Sequence, residues 1–274
     1  MSGLEATRGS ALRDFASGIP DFEIREGRYR ARFARTEEDV LAVLRLRYEV
    51  FNLELGEGLA ESRLTGLDRD RFDDQCHHLL VEDRDGGRAV GTYRLQHAAM
   101  AERGHGFYTD QEYDLSPWRG GVLDAAVETG RACIAREHRH GLVLLLLWQG
   151  LGAYAKHHAK QYFFGCCSLT SQDPVEGGRA HAHLRLAGRL HPELHVTARP
   201  GWECVADAGS EEAARSFRLP MLFRTYLRYG ARICSGPALD REFGTIDFLA
   251  LLDLRELEPE KILRQLADYV RRSA

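Results

Sequence analysis

The chain has no long apolar run. Its longest, Leu142 to Trp148, falls far short of the roughly 20 residues that cross a bilayer, so no spanning helix is expected. The first 20 residues contain no apolar segment of signal-peptide type. The six cysteines (Cys76, Cys133, Cys166, Cys167, Cys204 and Cys234) form no C-x2-C pair and no regular framework. Adjacent Cys166 and Cys167 would point to opposite faces of a strand, so they would not readily bridge. Reduced thiols of a cytoplasmic protein are the expectation. There is no excess of positive charge either: 37 basic residues face 41 acidic ones, for a net charge of −4. That balance offers no global basis for binding nucleic acid. Internal repeats and low-complexity tracts are lacking as well. At most, such a chain touches the inner face of a membrane peripherally.

What is present is an ordinary globular composition, 44 % hydrophobic and 28 % charged over 274 residues. That is enough to bury a full core. Residues 1–28 are weakly periodic and read as a loose N-terminal arm. A strand is expected from Tyr29 to Ala34. Thr36 to Asp39 then supplies a hydroxyl cap with an acid three residues on, opening an amphipathic helix over 37–51. Arg47 and Phe51, four apart, share one face of it. The irregular segment 52–75 carries Asp70 and Asp73 and is long for a connection without function. Strands at 78–82 and 88–96 flank a hairpin turn at Asp83 to Gly87. Period two sets Val90, Thr92 and Arg94 on one face of the second.

A strand over 125–135 holds Glu128 and Arg131. Next, Arg136 to Gly141 lead into an apolar helix from Leu142 to about His158, and a short strand follows at Tyr162 to Ser168. Later come a helix near 211–229, a strand from Thr245 to Asp253 and a terminal helix at 258–272. The domain reading is therefore an arm at 1–28, a core at 29–178 and a C-terminal elaboration at 179–274. Histidines occur in pairs at 77–78, 138/140, 157–158 and 181/183, but none has helical H-x3-H spacing, so no metal is expected.

In order, R-x3-F at Arg47 and Phe51, D-x2-D at Asp70 and Asp73, Arg94, and E-x2-R at Glu128 and Arg131 resemble the charged framework of acyl-homoserine-lactone synthases. Those are a branch of the GNAT-type N-acyltransferases. Longer strings resemble the ornithine N-alpha-acyltransferases over about residues 29–255. They include Arg71 to Asp73, Gly91 to Leu95, Gly106 to Tyr108, Tyr113 to Leu115, Leu147 to Leu151, Phe164 to Cys166, Phe243 to Thr245 and Leu251 to Leu254. Glu57-Gly58-Leu59 stands where the lactone synthases usually carry a tryptophan, which argues against a lactone product.

The resemblance implies an α/β GNAT-like acyltransferase fold with a splayed mixed sheet and a C-terminal elaboration. It further implies transfer of a 3-hydroxy fatty acyl group to the α-amine of L-ornithine or a related amino acid, giving lyso-ornithine lipid. The donor would be acyl carrier protein. No cofactor is implied beyond the carrier's phosphopantetheine, because Arg136 to Gly141 meets the coenzyme A loop pattern only in part.

Such chemistry needs a proton acceptor and groups that hold both substrates. Glu128 and Arg131 are the catalytic candidates: Glu128 as the acceptor, directly or through water, and Arg131 paired with an acid or holding the donor. A bulge at Thr129-Gly130 would bring the two to one side. Arg47, Phe51, Asp70, Asp73 and Arg94 would hold the acceptor, or the acids would lock the arginines into a network. Arg136, His138, Arg139 and Gly141, at a helix N-terminus, would receive the donor phosphate or an acidic carrier surface. Two alternatives stand beside this: a coenzyme A-dependent N-acyltransferase for another small amine, and a non-catalytic, lipid-binding haemolysin-like protein.

Overall fold

A computed structural model describes residues 18–207 and 209–257. Most of the expected arm and the terminal helix at 258–272 lie outside the described residues. Nine strands make one sheet: β1 (Glu23–Glu26), β2 (Tyr29–Phe33), β3 (His77–Asp83), β4 (Arg88–His97), β5 (Ala126–Ile134), β6 (Tyr162–Leu169), β7 (Arg232–Ile233), β8 (Ala238–Asp240) and β9 (Thr245–Asp253). Their order is β1-β2-β3-β4-β5-β6-β9-β7, with β8 also paired to β9. Only β5 and β6 run parallel, so the sheet is mixed. The segment before Tyr29 is thus not all loose, since β1 pairs with β2 from Glu23 to Glu26.

Helix α1 (Glu37–Tyr48) starts on the expected capping box: Asp39 N–H donates to Thr36 Oγ1 at 3.2 Å, and Thr36 N–H to Asp39 Oδ2 at 3.1 Å. Two orphan donors of the first turn are thereby satisfied. The helix runs on as a wide π-helical winding, Glu49–Leu55, and ends at Gly56 with φ +71°. After the short α2 (Ser62–Thr65) and α3 (Ala98–Arg103) comes α4 (Leu142–His157). It is the crossover element that parallel neighbours such as β5 and β6 require.

Helices α1 and α4 cover opposite faces of the central strands, which explains why β3 and β4 are buried along nearly their whole length. Close approach of α4 depends on missing side chains. A Cβ at Gly91 would stand 2.5 Å from Val143 Cγ1, and one at Gly150 2.6 Å from Leu79 Cδ1.

The later region differs from the expected single helix. It holds α6 (Glu211–Ser216) and α7 (Met221–Arg228), broken at Pro220, which has φ −53° and ψ 154°. Proline disfavours helix in the residue before it and cannot itself donate to a preceding turn. A further helix, α5 (Pro174–Leu186), escapes the sequence reading, although Asp173 caps it and Pro174 opens it. Strand β9 completes the sheet beside β6, pairing with it from Tyr162↔Asp253 to Leu169↔Ile246.

Candidate active site

Strands β5 and β6 pair at only three positions, the last being Glu128↔Phe164. Beyond it the two diverge, and the gap is a V whose apex is Glu128. Gly165 makes that apex possible, because a Cβ there would lie 2.1 Å from the Thr129 carbonyl oxygen. The far edge of β5 is held by β4, with a register break between Thr92↔Cys133 and Arg94↔Gly130. Tyr93 therefore faces two residues, Arg131 and Ala132. This is a bulge, and it sits one step beyond the expected Thr129-Gly130. Arg131 carries the strain, with φ +49° in a residue that has a side chain. The consequence is the anticipated one: Glu128 and Arg131, which strict alternation would separate, reach the same side.

A cavity of about 1450 Å³ fills the V. That exceeds the roughly 300–1,000 Å³ of common small-molecule sites. Its lining includes Phe51, Arg94, Tyr108, Glu128 and Arg131 at one end, and Leu144, Trp148, Met221, Tyr226 and Tyr229 at the other. One limb is polar and charged; the other is apolar. Exposed Arg139, Lys156, Arg224 and Arg228 also border it.

Beneath the polar limb three arginines and three aspartates close into a ring of alternating charge. Arg47 Nη1 donates to Asp73 Oδ1 at 2.6 Å, and Arg94 Nη1 reaches the same oxygen at 3.0 Å. Arg94 also donates to Asp70 Oδ1 at 2.6 Å, and Arg131 Nη2 to Asp70 Oδ2 at 3.1 Å. Asp68 completes the circuit, accepting from Arg47 Nε at 2.6 Å and lying 3.4 Å from Arg131 Nε. The formal charges cancel. Arg47, Asp68 and Asp73 are 0–1 % exposed, so the ring is interior rather than surface. Burial pushes the Asp73 carboxyl up, but Arg47 and Arg94 outweigh it and hold it far below the usual range. Asp70 is likewise held low, by Arg94 and Arg131 against its burial. Of the two roles expected for Asp70 and Asp73, the network is the one the geometry shows.

Glu128 lies next to the ring and is 5 % exposed. Its Oε2 accepts from Gln96 Nε2 at 2.5 Å and Tyr108 N–H at 3.1 Å, while Oε1 accepts from Thr109 N–H at 2.7 Å. A carboxylate offers about four lone-pair positions, so roughly one is left on the Oε1 side. Arg131 stacks between two rings, its guanidinium carbon 4.8 Å from the Tyr108 centroid and 4.2 Å from that of Phe243. Phe51 packs edge-on against Phe243 at 5.4 Å. Arg47, Phe51, Asp70, Asp73, Arg94, Glu128 and Arg131 thus converge on one end of the cavity.

The residues expected at the donor turn fall in different surroundings. Arg136–His138 form a 3-10 turn and Gly141, with φ +94°, precedes α4. Arg139 and Gly141 border the cavity. His138 does not serve that turn, because it is buried with Nδ1 2.8 Å from Tyr29 Oη, where His140 also bonds at 2.9 Å. Arg136 is exposed to solvent. Arg139 forms a two-point pair with Glu54 at 2.6 and 2.7 Å, which offsets part of its charge at the mouth.

The acetyltransferase (GNAT) domain profile matches residues 46–149, from the end of α1 through the first half of α4. An L-ornithine N(alpha)-acyltransferase of Brucella abortus is 33 % identical, over 96 % of each chain. The protein of the same description from Rhizobium meliloti is 34 % identical over 82 % of this chain and 80 % of its own. The chain belongs to the L-ornithine N(alpha)-acyltransferase family. It is an acyltransferase with a GNAT fold. Among solved structures, the acyl-homoserine-lactone synthase LasI resembles it at 12 % identity, covering 88 % of this chain and 96 % of its own, with a TM-score of 0.49.

Four residues around Glu128 and Arg131 have no role in the sequence reading. Asp68 was masked by the more conspicuous pair after it, although it sits two residues before Asp70. Gln96 was visible by period two, as the next residue on the Arg94 face. Tyr108 and Phe243 lie far from Arg131 in sequence, and nothing local announces that their rings clamp it. No helix among the described residues is long and apolar enough to cross a membrane.

Proposed function

We propose that the protein transfers a 3-hydroxy fatty acyl group from the phosphopantetheine of acyl carrier protein to the α-amine of L-ornithine, forming lyso-ornithine lipid. The observation that carries this reading is the two-limbed cavity meeting at Glu128. One limb offers apolar wall for a long acyl chain, and the other charged groups for an amino acid. The relatives' shared description supplies the acceptor. The carrier reading is supported by the basic rim of Arg139, Lys156, Arg224 and Arg228, which suits an acidic partner. Rim residues Leu55 and Met221 are exposed and apolar, which suits a lipid product leaving towards a membrane surface, as a peripheral contact.

The thioester would lie at the apex of the V, where β5 loses its β6 partner. The amine nitrogen attacks the thioester carbon, a C–N bond forms, and the C–S bond breaks as the tetrahedral intermediate collapses. The nitrogen's proton passes to Glu128, directly or through water, and the pantetheine thiolate takes up a proton as it leaves. Gln96 and the two backbone N–H groups fix the carboxylate for that task. Arg131, clamped by Tyr108 and Phe243, would hold the acceptor's α-carboxylate.

The test is a purified reaction with 3-hydroxyacyl carrier protein and ornithine, read by mass spectrometry. Wild type should yield N-acylornithine, and Glu128→Gln should lower kcat by about 10²–10⁴ while the protein still folds. Absence of N-acylornithine with wild type would refute the reading. An unchanged rate in Glu128→Gln would transfer the proton role elsewhere.

A further inference from the structure

At the wall of the same cavity stands a second set of acids that the ring does not use. Asp247 on β9 and Cys166 on β6 line the cavity. Glu112 lies behind them, and the three ligand atoms fall within 4.8 Å of one another. Glu112 is 0 % and Asp247 3 % exposed, yet Glu112 Oε1 and Asp247 Oδ1 each lack a hydrogen-bond partner. Thr245, next to Asp247 on the same strand face, is buried, and its side chain interacts with that carboxyl.

The contrast with the ring is one of charge. Every ring aspartate has an arginine; the strongest charges felt by Glu112 are those of Asp247 and Asp240. Two buried carboxylates without a counter-charge cannot both ionise at acceptable cost. A cation arriving through the cavity would supply what the protein does not.

Tyr108 measures the distance from this cluster to the reaction centre. Its backbone N–H holds Glu128, its ring lies under Arg131, and its hydroxyl donates to Asp240 Oδ2 at 3.2 Å. The same hydroxyl feels the charges of both Arg131 and the acids Glu112, Asp240 and Asp247. One tyrosine side chain thus spans the interval between Arg131 and Asp240, whose charge Glu112 and Asp247 both feel. An α-amino acid with a short ω-amine spans a similar interval, with its α-carboxylate at Arg131 and its α-amine at Glu128. An ammonium only donates, and Asp247 presents a carboxylate at the cavity wall with Glu112 close behind it.

We propose that Asp247 and Glu112 form the subsite for the side-chain ammonium of the acceptor, and that they select a diamino acid over its neutral counterpart. This rests on the reading that the acceptor is an amino acid. A divalent metal suits the site less well: hard cations prefer all-oxygen shells of six or more ligands, and here a thiol stands beside only two carboxylates.

The experiment compares ornithine with norvaline, which has the same carbon chain and no ω-amine, using whichever acyl donor wild type accepts. Wild type should favour ornithine by at least about 100-fold in kcat/KM, because norvaline leaves the buried acids unpaired. Asp247→Asn, and separately Glu112→Gln, should raise the ornithine KM about 10- to 100-fold and move norvaline by no more than a few-fold, so that the preference collapses. Thermal shifts provide a readout that needs no variant: ornithine should stabilise wild type and norvaline should not. The proposal is overturned if both variants keep the preference, if both substrates fail in parallel, or if a stoichiometric divalent ion is found whose removal abolishes both reactions. Equal acylation, or equal stabilisation, of wild type by the two amino acids also overturns it while leaving the acyltransfer reading intact. A wild type that acylates no amino acid would instead defeat the reading beneath it.

Discussion

Replacing Asp73 by asparagine keeps the shape of the side chain and removes one charge from the buried ring. In the native protein that carboxylate receives Arg47 at 2.6 and 3.3 Å, Arg94 at 3.0 Å and the Asp70 N–H at 2.8 Å. The substitution leaves three arginines facing two aspartates, a net positive charge in an interior where Arg47 and Asp68 have no exposure. Breaking a buried pair in this way costs about 3–5 kcal/mol. At about 2–4 °C per kcal/mol for a chain of this size class, Tm should fall by about 6–20 °C. Calorimetry at neutral pH reads the shift directly. The neutral double variant Arg47→Met with Asp73→Asn should be less destabilised than the two singles added together, by about 0.5–3 kcal/mol of coupling. A Tm loss below 2 °C in the single variant, or strict additivity in the double, would show that the ring does not act as a coupled unit. Acid dependence has a definite sign here. A carboxyl held low in the folded state contributes stability above its unfolded pKa of about 3.9 and loses it only as pH falls towards the depressed folded value. Asp73→Asn should therefore lack part of the acid-unfolding limb that wild type shows below about pH 4.

Other outcomes are open to measurement. Reversing Arg139 to Glu should reduce kcat/KM for an acyl carrier protein donor far more than for a free acyl-pantetheine, with the gap closing as salt rises, since screening acts over about 8 Å at physiological ionic strength; equal losses would assign the arginine to its pair with Glu54. Burial pushes Asp247 up to about 6, so its protonated form favours the fold below the unfolded pKa and that contribution is lost as pH rises through about 6; wild type should lose stability relative to Asp247→Asn between about pH 4 and 6, and saturating ornithine should remove the difference. Burial lowers His78 to about 4, partly opposed by Asp73, so its contribution runs the other way, present above about 6.5 and lost as pH falls through 4; titration of the His78 ring by NMR should show no protonation near pH 6.

How much of this was legible beforehand depended on how local each feature's cause is. The capping box at Thr36, the hairpin turn after Asp83 and the apolar period of α4 are set by neighbours within four residues, and each stands where its pattern places it. The polar strand β1 shows no such pattern: Glu23, Arg25 and Glu26 are exposed, and the strand exists because Tyr29 to Phe33 offers it an edge. The bulge was legible as a need, to bring Glu128 and Arg131 together, but not as a position. Glycine at 130 invited the local guess, yet the extra residue falls at Arg131, where Tyr108 and Phe243 hold the guanidinium and Asp70 anchors it. Tertiary contacts outweighed a backbone preference there.

The same reasoning explains why the ring's residues read as a motif although most of them touch no cavity. Arg47 comes from α1, Asp68, Asp70 and Asp73 from the loop between α2 and β3, Arg94 from β4 and Arg131 from β5. The ring joins four chain segments at the point where β5 bulges, and two of its members, Arg94 and Arg131, form the cavity floor. A substitution that unbalances it would move Arg131, and with it the Tyr108 ring that positions Glu128 through its backbone N–H. Activity and stability are therefore expected to fall together in ring variants, whereas at Glu128 activity should fall alone. The spaced acids and arginines stand out as a motif because they build the floor of the cavity from four separate parts of the chain.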